Sequence, residues 1–369
     1  MATHIESLNI KSFRGLEDLK IENLGDVNII VGDNNTGKTS VLEAIQFIGE
    51  PTEHSMIKIA RQREWYKGVT HAIGLVDSIR YLFHIKSKKE NEYNLEISAE
   101  INGEYAQAKV TGKDELQIRQ IYELEDGSKR MRNTLKNFRD IELHLQDEVE
   151  EVDTFIGKIK VDNKDITFEF NKYSIIVKVN YLTLMNVIFT QAMEHVAKDS
   201  FRNLTRRADL SKKAVKLLKE FDTRVVDIRY VGEGEQKFIP VFEVEGMDEY
   251  VPLSLYGDGV KKALTVLNAI IEAENGVVLI DEFETSLHTT AMDHVFKFMV
   301  GVAKELNVQL FLTTHSMEAI DTLLRCDEEN INKIKVVRIR KDENEMYTDT
   351  ISGDEALRIR KKYKMELRL

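Results

Sequence analysis

The sequence predicts an α/β protein in which a mostly parallel sheet is flanked by helices, with a β-rich and partly helical insertion. Three observations support this fold class. Val27–Val31 is a continuous apolar run of strand length that leads through a glycine-containing loop into a helix-periodic segment. From about residue 224 onward, strand-like apolar runs alternate with helix-like segments, as in a parallel sheet with crossover helices. Between these parts, alternating runs on both sides of Asn102-Gly103 predict an antiparallel hairpin.

Composition excludes several classes of site. The single cysteine, Cys326, excludes an internal disulfide bond and a cysteine zinc cluster, and it favours a reducing, cytoplasmic setting. No stretch approaches about 18 uninterrupted apolar residues, so we expect neither a membrane span nor export. The net charge of −11 means that diffuse electrostatics does not attract nucleic acid, which would need local basic patches.

In chain order, two short strands are predicted before the loop, at His4–Asn9 and Leu19–Ile21, with a turn at Phe13-Arg14-Gly15-Leu16 between them. After the first long helix the sequence becomes rich in strand patterns, and a second hairpin is predicted over Lys158–Phe170. The pattern then predicts helices over Met185–Arg207 and Ser211–Phe221.

The loop after the apolar strand has the pattern of a phosphate-binding loop. Residues Gly32–Thr39 read G-x-x-x-x-G-K-T and stand between a strand and a helix, where this pattern requires them. Gly32 and Gly37 permit backbone conformations that let successive amides surround a phosphate at a helix N-terminus. Lys38 can reach the β- and γ-phosphates, and the Thr39 hydroxyl can ligate Mg²⁺. A chance glycine turn is the weaker interpretation of the full pattern.

Two carboxylates follow a second apolar strand. Val277–Ile280 is typical of a buried central strand of a parallel sheet, and ligand sites lie at the carboxyl ends of such strands. Asp281 would then hold Mg²⁺, directly or through water, and Glu282 would activate a water against the γ-phosphorus. A capped buried strand explains this pattern equally well by itself. In the same chain as a complete phosphate loop, the functional interpretation is favoured.

His315 ends the next apolar strand, Phe311–Thr313, through Thr314. At that position it could hydrogen-bond the γ-phosphate or the attacking water. The alternative is a histidine at a helix start, with Ser316 as the N-cap.

A second candidate anion site precedes the helix that begins near residue 258. Ser254, Gly257 and Gly259 in the segment SLYGDG bring a serine and two glycines to a helix N-terminus. Because one nucleotide needs one phosphate loop, we interpret this segment as meeting the nucleotide of another copy of the chain. The expected assembly is a head-to-tail dimer with two ATP molecules in the interface.

The ordered motifs GDNNTGKT, SLYGDG, VVLIDE, ETSLH and TTHS resemble those of the ATP-binding-cassette (ABC) ATPases of the SMC-like branch, and within it the OLD-family ATPases. The resemblance covers roughly residues 1–50 and 225–369 and implies an ABC-type P-loop ATPase head that uses ATP and Mg²⁺. It implies two parts of a nucleotide-binding domain, residues 1–86 and 225–369, and an insertion at 87–224 that forms a dimer or partner lobe.

The resemblance also implies roles for individual residues. It makes Lys38, Glu282 and His315 catalytic, with Thr39 and Asp281 at the metal, and Glu284–His288 the D-loop. An arginine near the nucleotide in such proteins matches Arg14. The implied nucleotide-binding residues are Gly32, Asn34, Asn35, Thr36, Gly37, Lys38, Thr39, Ser40, Arg14 and, across the dimer, Ser254, Gly257 and Gly259.

Two departures from the family pattern shape the functional hypothesis. No glutamine Q-loop can be placed, since Gln62 is a poor match and Arg80–His84 is the alternative. The residues after His315 are also too few for the TOPRIM nuclease domain that often follows it in OLD-family proteins. Any nuclease would then be a separate polypeptide, as in the split systems of bacterial defence against phage.

The leading hypothesis is a nucleotide-gated scaffold and sensor that controls such an effector in anti-phage defence. The alternative is a DNA-repair or recombination ATPase that clamps DNA directly. A transporter subunit is disfavoured by the long insertion, and a small-molecule kinase by the second anion site. Basic clusters are candidate docking surfaces, although solvated helix faces explain them better; they comprise Arg202, Arg206, Arg207, Lys212, Lys213, Lys216 and Lys219, and residues 358–364.

Overall fold

The computed structural model describes residues 4–63, 73–87, 92–123, 129–134, 148–162, 164–171, 175–177, 182–190, 208–232, 238–285, 287, 289–342 and 345–363. Its strands are β1 (Ile5–Phe13), β2 (Leu16–Ile21), β3 (Val27–Val31), β4 (Glu92–Ile101), β5 (Glu104–Glu123), β6 (Lys129–Thr134), β7 (Glu148–Val161), β8 (Lys164–Asn171), β9 (Ile175–Val177), β10 (Val187–Thr190), β11 (Val225–Gly232), β12 (Phe238–Val244), β13 (Val251–Pro252), β14 (Val277–Ile280), β15 (Gln309–Thr313), β16 (Ile334–Asp342) and β17 (Glu345–Ser352).

The helices of the described part are α1 (Lys38–Gly49), α2 (Glu53–Gln62), α3 (Leu75–Arg80), α4 (Ala208–Leu218), α5 (Asp258–Glu272), α6 (Thr289–Glu305), α7 (Met317–Cys326) and α8 (Gly353–Tyr363). None of these helices has both the length and the apolar character needed to cross a bilayer.

A parallel sheet carries the phosphate loop. Its strand order is β10-β14-β15-β3-β16-β17, and all neighbours pair in parallel except β16 and β17, which form an antiparallel hairpin. Every residue of β3, β14 and β15 is buried, as expected for central strands covered by helices on both faces. The carboxyl ends of these three adjacent strands therefore meet at one edge of the sheet.

An antiparallel sheet packs on the other side of α1. Its order is β2-β1-β4-β5-β7-β8-β9, with β6 paired to β5. All α1 residues except Thr39 are buried, and one apolar cluster joins Phe47 of this helix to Leu8 of the antiparallel sheet and Phe311 of the parallel sheet. The helix that follows the phosphate loop is thus fixed from both sides, which holds its N-terminus in place.

A third, smaller sheet supports the second candidate anion site. Its order is β11-β12-β13, and Val225, Phe242 and Val244 bury their side chains in the cluster that also contains α4 and α5. A short 3₁₀ turn, Leu253–Leu255, connects β13 to the start of α5.

The structure confirms the predicted α/β class with a mixed sheet flanked by helices. The hairpin at Asn102-Gly103 joins β4 to β5, and the second predicted hairpin joins β7 to β8. Strands between residues 87 and 224 contribute to both large sheets, because β4 pairs with β1 and β10 pairs with β14. The division of the chain at residues 86 and 224 stays a prediction.

The helix predicted over Met185–Arg207 is wrong at its start. Val187–Thr190 forms β10, in which each residue pairs with one of Val277–Ile280. An apolar run this short shows no period that separates helix from strand, and the unpaired edge of β14 decides for the strand. Residues 191–207 lie outside the described residues.

Candidate active site

The loop between β3 and α1 has the backbone geometry that its glycines allow. The φ angles of Gly32, Asn35 and Gly37 are 152°, 64° and 91°, in the region that side chains other than glycine and asparagine disfavour. A Cβ atom at Gly37 would lie 2.5 Å from Cδ2 of Leu16. The loop is therefore folded tightly against the turn between β1 and β2, and the positive φ together with this contact favours glycine at position 37.

Lys38 lies inside this loop. Its Nζ donates hydrogen bonds to the carbonyl oxygens of Gly32 (2.9 Å) and Asp33 (2.8 Å). Burial lowers the pKa of Lys38, and the negative charges of Asp281 and Asp33 partly oppose that effect. The loop carbonyls hold the ammonium at the N-terminus of α1, where helix amides and a cation together favour a bound anion.

Asp281 follows β14 and faces the phosphate loop. The hydroxyl of Thr39 donates to its carboxylate at 3.0–3.1 Å, and the hydroxyl of Thr313 donates to Oδ1 at 2.5 Å. The predicted pair of magnesium-binding residues, Thr39 and Asp281, is thus in direct contact. All donors here are oxygen atoms, the set that Mg²⁺ prefers, so the residues present fit this ion.

Glu282 and His315 lie at the same edge of the sheet. Glu282 is exposed and has a φ of 47°, and its backbone N–H donates to the Thr313 hydroxyl at 2.8 Å. The backbone N–H of His315 donates to the Glu284 carboxylate at 3.0 Å. Ser316 accepts a hydrogen bond from Ala319 N–H and caps α7, as the alternative interpretation of this segment expected. The cap is compatible with the position of His315 at this edge of the sheet.

These side chains surround one cleft of about 1060 Å³. A nucleoside triphosphate needs a pocket of this order, since small-molecule sites measure roughly 300–1,000 Å³. The predicted residues that line it are Arg14, Asn34, Asn35, Gly37, Lys38, Thr39, Ser40, Asp281, Glu282 and His315. Gly32 and Thr36 shape the loop from outside the lining, and the Thr36 hydroxyl donates to Asp33 O.

Comparison with known proteins identifies the family. The family described as "AAA domain, putative AbiEii toxin, Type IV TA system" matches residues 27–321, which is most of the chain and includes every motif from the phosphate loop to the histidine. The chain belongs to this AAA-domain family.

Relatives of this AAA-domain protein include a Helicobacter pylori protein named "ATP/GTP phosphatase", 25% identical over 95% of this chain and 96% of that protein. The DNA replication and repair protein RecF of Pseudoalteromonas translucida is 35% identical over 25% of this chain and 26% of its own length. An SMC head bound to the C-terminal winged-helix domain of ScpA has a TM-score of 0.47 at 11% identity, covering 96% of this chain and 99% of that one.

The AAA-domain protein has a buried charge cluster at the wall of the cleft that sequence reasoning did not find. Glu43 of α1 is 1% exposed, and its carboxylate lies 2.6 Å from Nε of Arg14 and 2.6 Å from a guanidinium nitrogen of Arg63. Arg63 also donates to the Ser40 hydroxyl at 2.9 Å. Burial lowers the pKa of Arg14 to about 10, Glu43 opposes this, and Arg63 adds to it. Two arginines share one carboxylate, so the cluster carries a net positive charge beside the phosphate loop.

Arg14 therefore lines the cleft, as the resemblance implied, but its guanidinium is engaged with Glu43 and with the carbonyl oxygen of Ile59 at 3.0 Å. Its contact with a nucleotide stays a prediction. Arg63 had no detectable signal in the sequence, because it lies in a polar helix end and its partners are on another helix.

Part of the Arg80–His84 stretch, the alternative to a glutamine Q-loop, lies at the cleft. In the Arg80–His84 stretch, Tyr81, Phe83 and His84 line the cleft, whereas Arg80 binds the carboxylates of three aspartates. Gln62 is absent from the lining. The partners of Arg80 are Asp77, Asp114 and Asp153. Arg80 thus fastens this wall of the cleft to the antiparallel sheet.

The predicted signature segment lies away from the cleft of its own chain. Ser254 and Gly257 are exposed, Leu255 is 75% exposed, and nothing lies within 4 Å of a Cβ atom built on Gly257. Gly257 is the N-cap of α5 and Gly259 lies in its first turn. In the predicted D-loop, Glu284 binds the His315 backbone, and Ser286 and His288 lie outside the described residues.

Proposed function

We propose that this chain is an SMC-like, OLD-type ATPase that binds ATP with Mg²⁺, hydrolyses it, and dimerises head-to-tail around the nucleotide. One observation carries the proposal. A single cleft collects Lys38, Thr39, Asp281, Glu282 and His315 from one loop and two strand ends. A phosphate loop alone would support nucleotide binding, and the adjacent carboxylates and histidine add the groups that hydrolysis needs.

Each of these residues has a task that fits its position. Lys38 and the N-terminus of α1 bind the β- and γ-phosphates, and Thr39 and Asp281 hold Mg²⁺. When bound, the ion neutralises charge on the phosphate oxygens. Glu282 is exposed on the cleft and can accept a proton from the attacking water. His315 can orient that water or contact the γ-phosphate.

The dimer is proposed because the chain has two candidate anion-binding segments, and only the phosphate loop lines the cleft described above. The exposed surface at Ser254 and Gly257 is free for a nucleotide held by a second copy. In such an arrangement the interface forms only when ATP bridges it, so nucleotide state controls assembly.

We further propose that this assembly holds and controls a separate effector, a nuclease by its resemblance to split anti-phage systems. The family description, which names a toxin of a Type IV TA system, supports a role in a system of more than one component. Copurification with the products of neighbouring genes, with and without ATP, tests this part. Recovery of a partner that depends on ATP is the expected result, and a chain that remains alone under both conditions would contradict it.

The ATPase proposal predicts opposite behaviour for two variants. Lys38→Ala should abolish ATP binding, whereas Glu282→Gln should bind ATP, lower kcat by at least about 100-fold, and accumulate as a dimer. Titration with a fluorescent ATP analogue, phosphate release and mass measurement in solution check the three quantities. Glu104→Gln, which alters an exposed carboxylate at the start of β5, is the matched control. Hydrolysis by Glu282→Gln at the parent rate would refute the assignment of the base.

One observation favours DNA clamping as a second candidate function. Lys212, Lys216 and Lys219 lie exposed on α4 or just after it, at the spacing of one helix face, although Lys213 of the same cluster binds Glu305. Arg202, Arg206, Arg207 and Lys364 lie outside the described residues. The discriminating measurement is ATP hydrolysis with and without duplex DNA at increasing salt, since phosphate contacts weaken steeply with ionic strength.

A further inference from the structure

Thr313 makes contacts that join the two carboxylate residues of the cleft. It is the last residue of β15 and is 1% exposed. Its hydroxyl donates its one hydrogen to Asp281 Oδ1 at 2.5 Å and accepts the backbone N–H of Glu282 at 2.8 Å. A single buried hydroxyl therefore binds the side chain of one catalytic-site residue and the backbone of the next.

The backbone around Glu282 needs such support. With a φ of 47°, Glu282 is in the left-handed region, which a glutamate adopts only where the surroundings impose it. The turn is fixed on both sides: Asp281 N–H donates to Thr190 O at 3.2 Å, and Phe283 N–H donates to Thr313 O at 3.2 Å. Both amides that follow Asp281 thus bind Thr313, one through its hydroxyl and one through its carbonyl oxygen.

We propose that Thr313 is a positioning residue for hydrolysis, which sets the placement of the Glu282 carboxylate relative to Asp281. The inference rests on the proposed ATPase function. Thr39 also donates to Asp281, but it belongs to the phosphate loop and its hydroxyl is the expected magnesium ligand. Thr313 is the hydroxyl that can hold Asp281 without that second task.

This role differs from a general contribution to stability. A residue that merely stabilises the sheet would change the unfolding midpoint and leave the catalytic constants of the folded protein alone. A residue that positions Glu282 changes kcat and leaves metal-free ATP binding alone. The Thr313 hydroxyl lines the cleft and binds Asp281 and Glu282, and among the described residues it has no hydrogen bond to the phosphate loop.

The test compares Thr313→Val, which keeps the shape and removes the hydroxyl, with Thr190→Val. Thr190 is the matched control, since it ends β10, the strand on the other side of β14, is 2% exposed, and its hydroxyl has no hydrogen-bond partner among the described residues. Both full-length variants are assayed for thermal unfolding, for binding of a fluorescent ATP analogue in EDTA, for kcat and KM, and for the Mg²⁺ concentration that gives half-maximal hydrolysis.

For Thr313→Val we expect kcat to fall by about 10- to 100-fold, as for the loss of one hydrogen bond to a charged group, with ATP affinity in EDTA unchanged within about twofold. The Mg²⁺ concentration for half-maximal hydrolysis should rise, because Asp281 loses a partner. Thr190→Val should match the parent in ATP affinity, in kcat and KM, and in Mg²⁺ dependence. Its unfolding midpoint should equal or exceed that of the parent, because the substitution removes a buried hydroxyl that has no hydrogen-bond partner among the described residues.

A second pair of variants covers the case in which Thr313→Val does not fold. Thr313→Ser and Thr313→Ala both lack the methyl group and differ in the hydroxyl, so parent-like kcat in the serine variant with a low kcat in the alanine variant supports the inference. Equal kcat in the serine and alanine variants overturns the inference.

If Thr313→Val hydrolyses ATP like the parent while Glu282→Gln is inactive, the inference fails and the ATPase proposal stands. A parent protein without ATPase activity overturns both.

Discussion

At the scale of single residues, Glu43 provides a test of how the cleft wall is held. Its carboxylate is 1% exposed and compensates two guanidinium groups, those of Arg14 and Arg63. Glu43→Gln keeps the shape and leaves Arg14, which is 10% exposed, without a compensating charge. Since removal of one partner from a buried ion pair is strongly unfavourable, we expect the free energy of unfolding to fall by about 3 kcal/mol, measured by urea unfolding.

The matched control for this prediction is Glu17→Gln. Glu17 pairs with Lys86 across two side chains that are 35% and 53% exposed, and such surface pairs contribute less than about 1 kcal/mol. A loss for Glu43→Gln no larger than that for Glu17→Gln would show that the cluster does not stabilise the fold.

Residues of the site differed in how far the sequence could predict them. Lys38, Thr39, Asp281 and His315 lie within short motifs at strand ends, and adjacent parallel strands bring such ends together. Glu43 and Arg63 contact each other across two helices, and neither has a local pattern that marks it. Thr313 was within reach, because it stands two residues before His315 at the end of the same strand.

At the scale of elements, the phosphate loop depends on glycine at position 37 for two reasons. Its φ is 91°, and a Cβ atom would lie 2.5 Å from Leu16 Cδ2. Gly103, in the β4–β5 turn, has a φ of 75° and nothing within 4 Å of a Cβ atom. Alanine at position 103 therefore measures the cost of the positive φ alone, without a steric clash. We expect Gly103→Ala to cost about 1 kcal/mol and Gly37→Ala roughly 1–3 kcal/mol more, with loss of ATP binding.

Chemical unfolding and nucleotide titration of both variants check this comparison. Equal stability of the two would mean that Leu16 moves aside without cost, and the loop would then not be fixed by the turn between β1 and β2.

At this scale the sequence predicted the strands with strong periodicity and both hairpins, but not β10. Its strand state depends on pairing with β14, which is distant along the chain.

At the scale of the whole molecule, the position of the signature segment makes the dimer testable in one substitution. Gly257 is exposed, has a φ of −66°, and has nothing within 4 Å of a Cβ atom, so the single chain accommodates a side chain there. Gly301, in α6, is also exposed with open space around it. Gly257→Glu and Gly301→Glu therefore add the same charge at two positions that the monomer tolerates.

If Gly257 faces the triphosphate of a second copy, a carboxylate there repels the phosphates and fills the space that close approach requires. We expect Gly257→Glu to keep the unfolding midpoint and the ATP affinity of its own cleft, and to lose ATP-dependent dimerisation and at least about tenfold in kcat. Gly301→Glu should dimerise and hydrolyse ATP like the parent.

Mixing Gly257→Glu with Lys38→Ala extends the measurement. A head-to-tail dimer of the two variants retains one intact site, which combines the cleft of the first variant with the signature segment of the second. Recovery of hydrolysis in the mixture is expected, and its absence, with both variants folded, would contradict the head-to-tail arrangement.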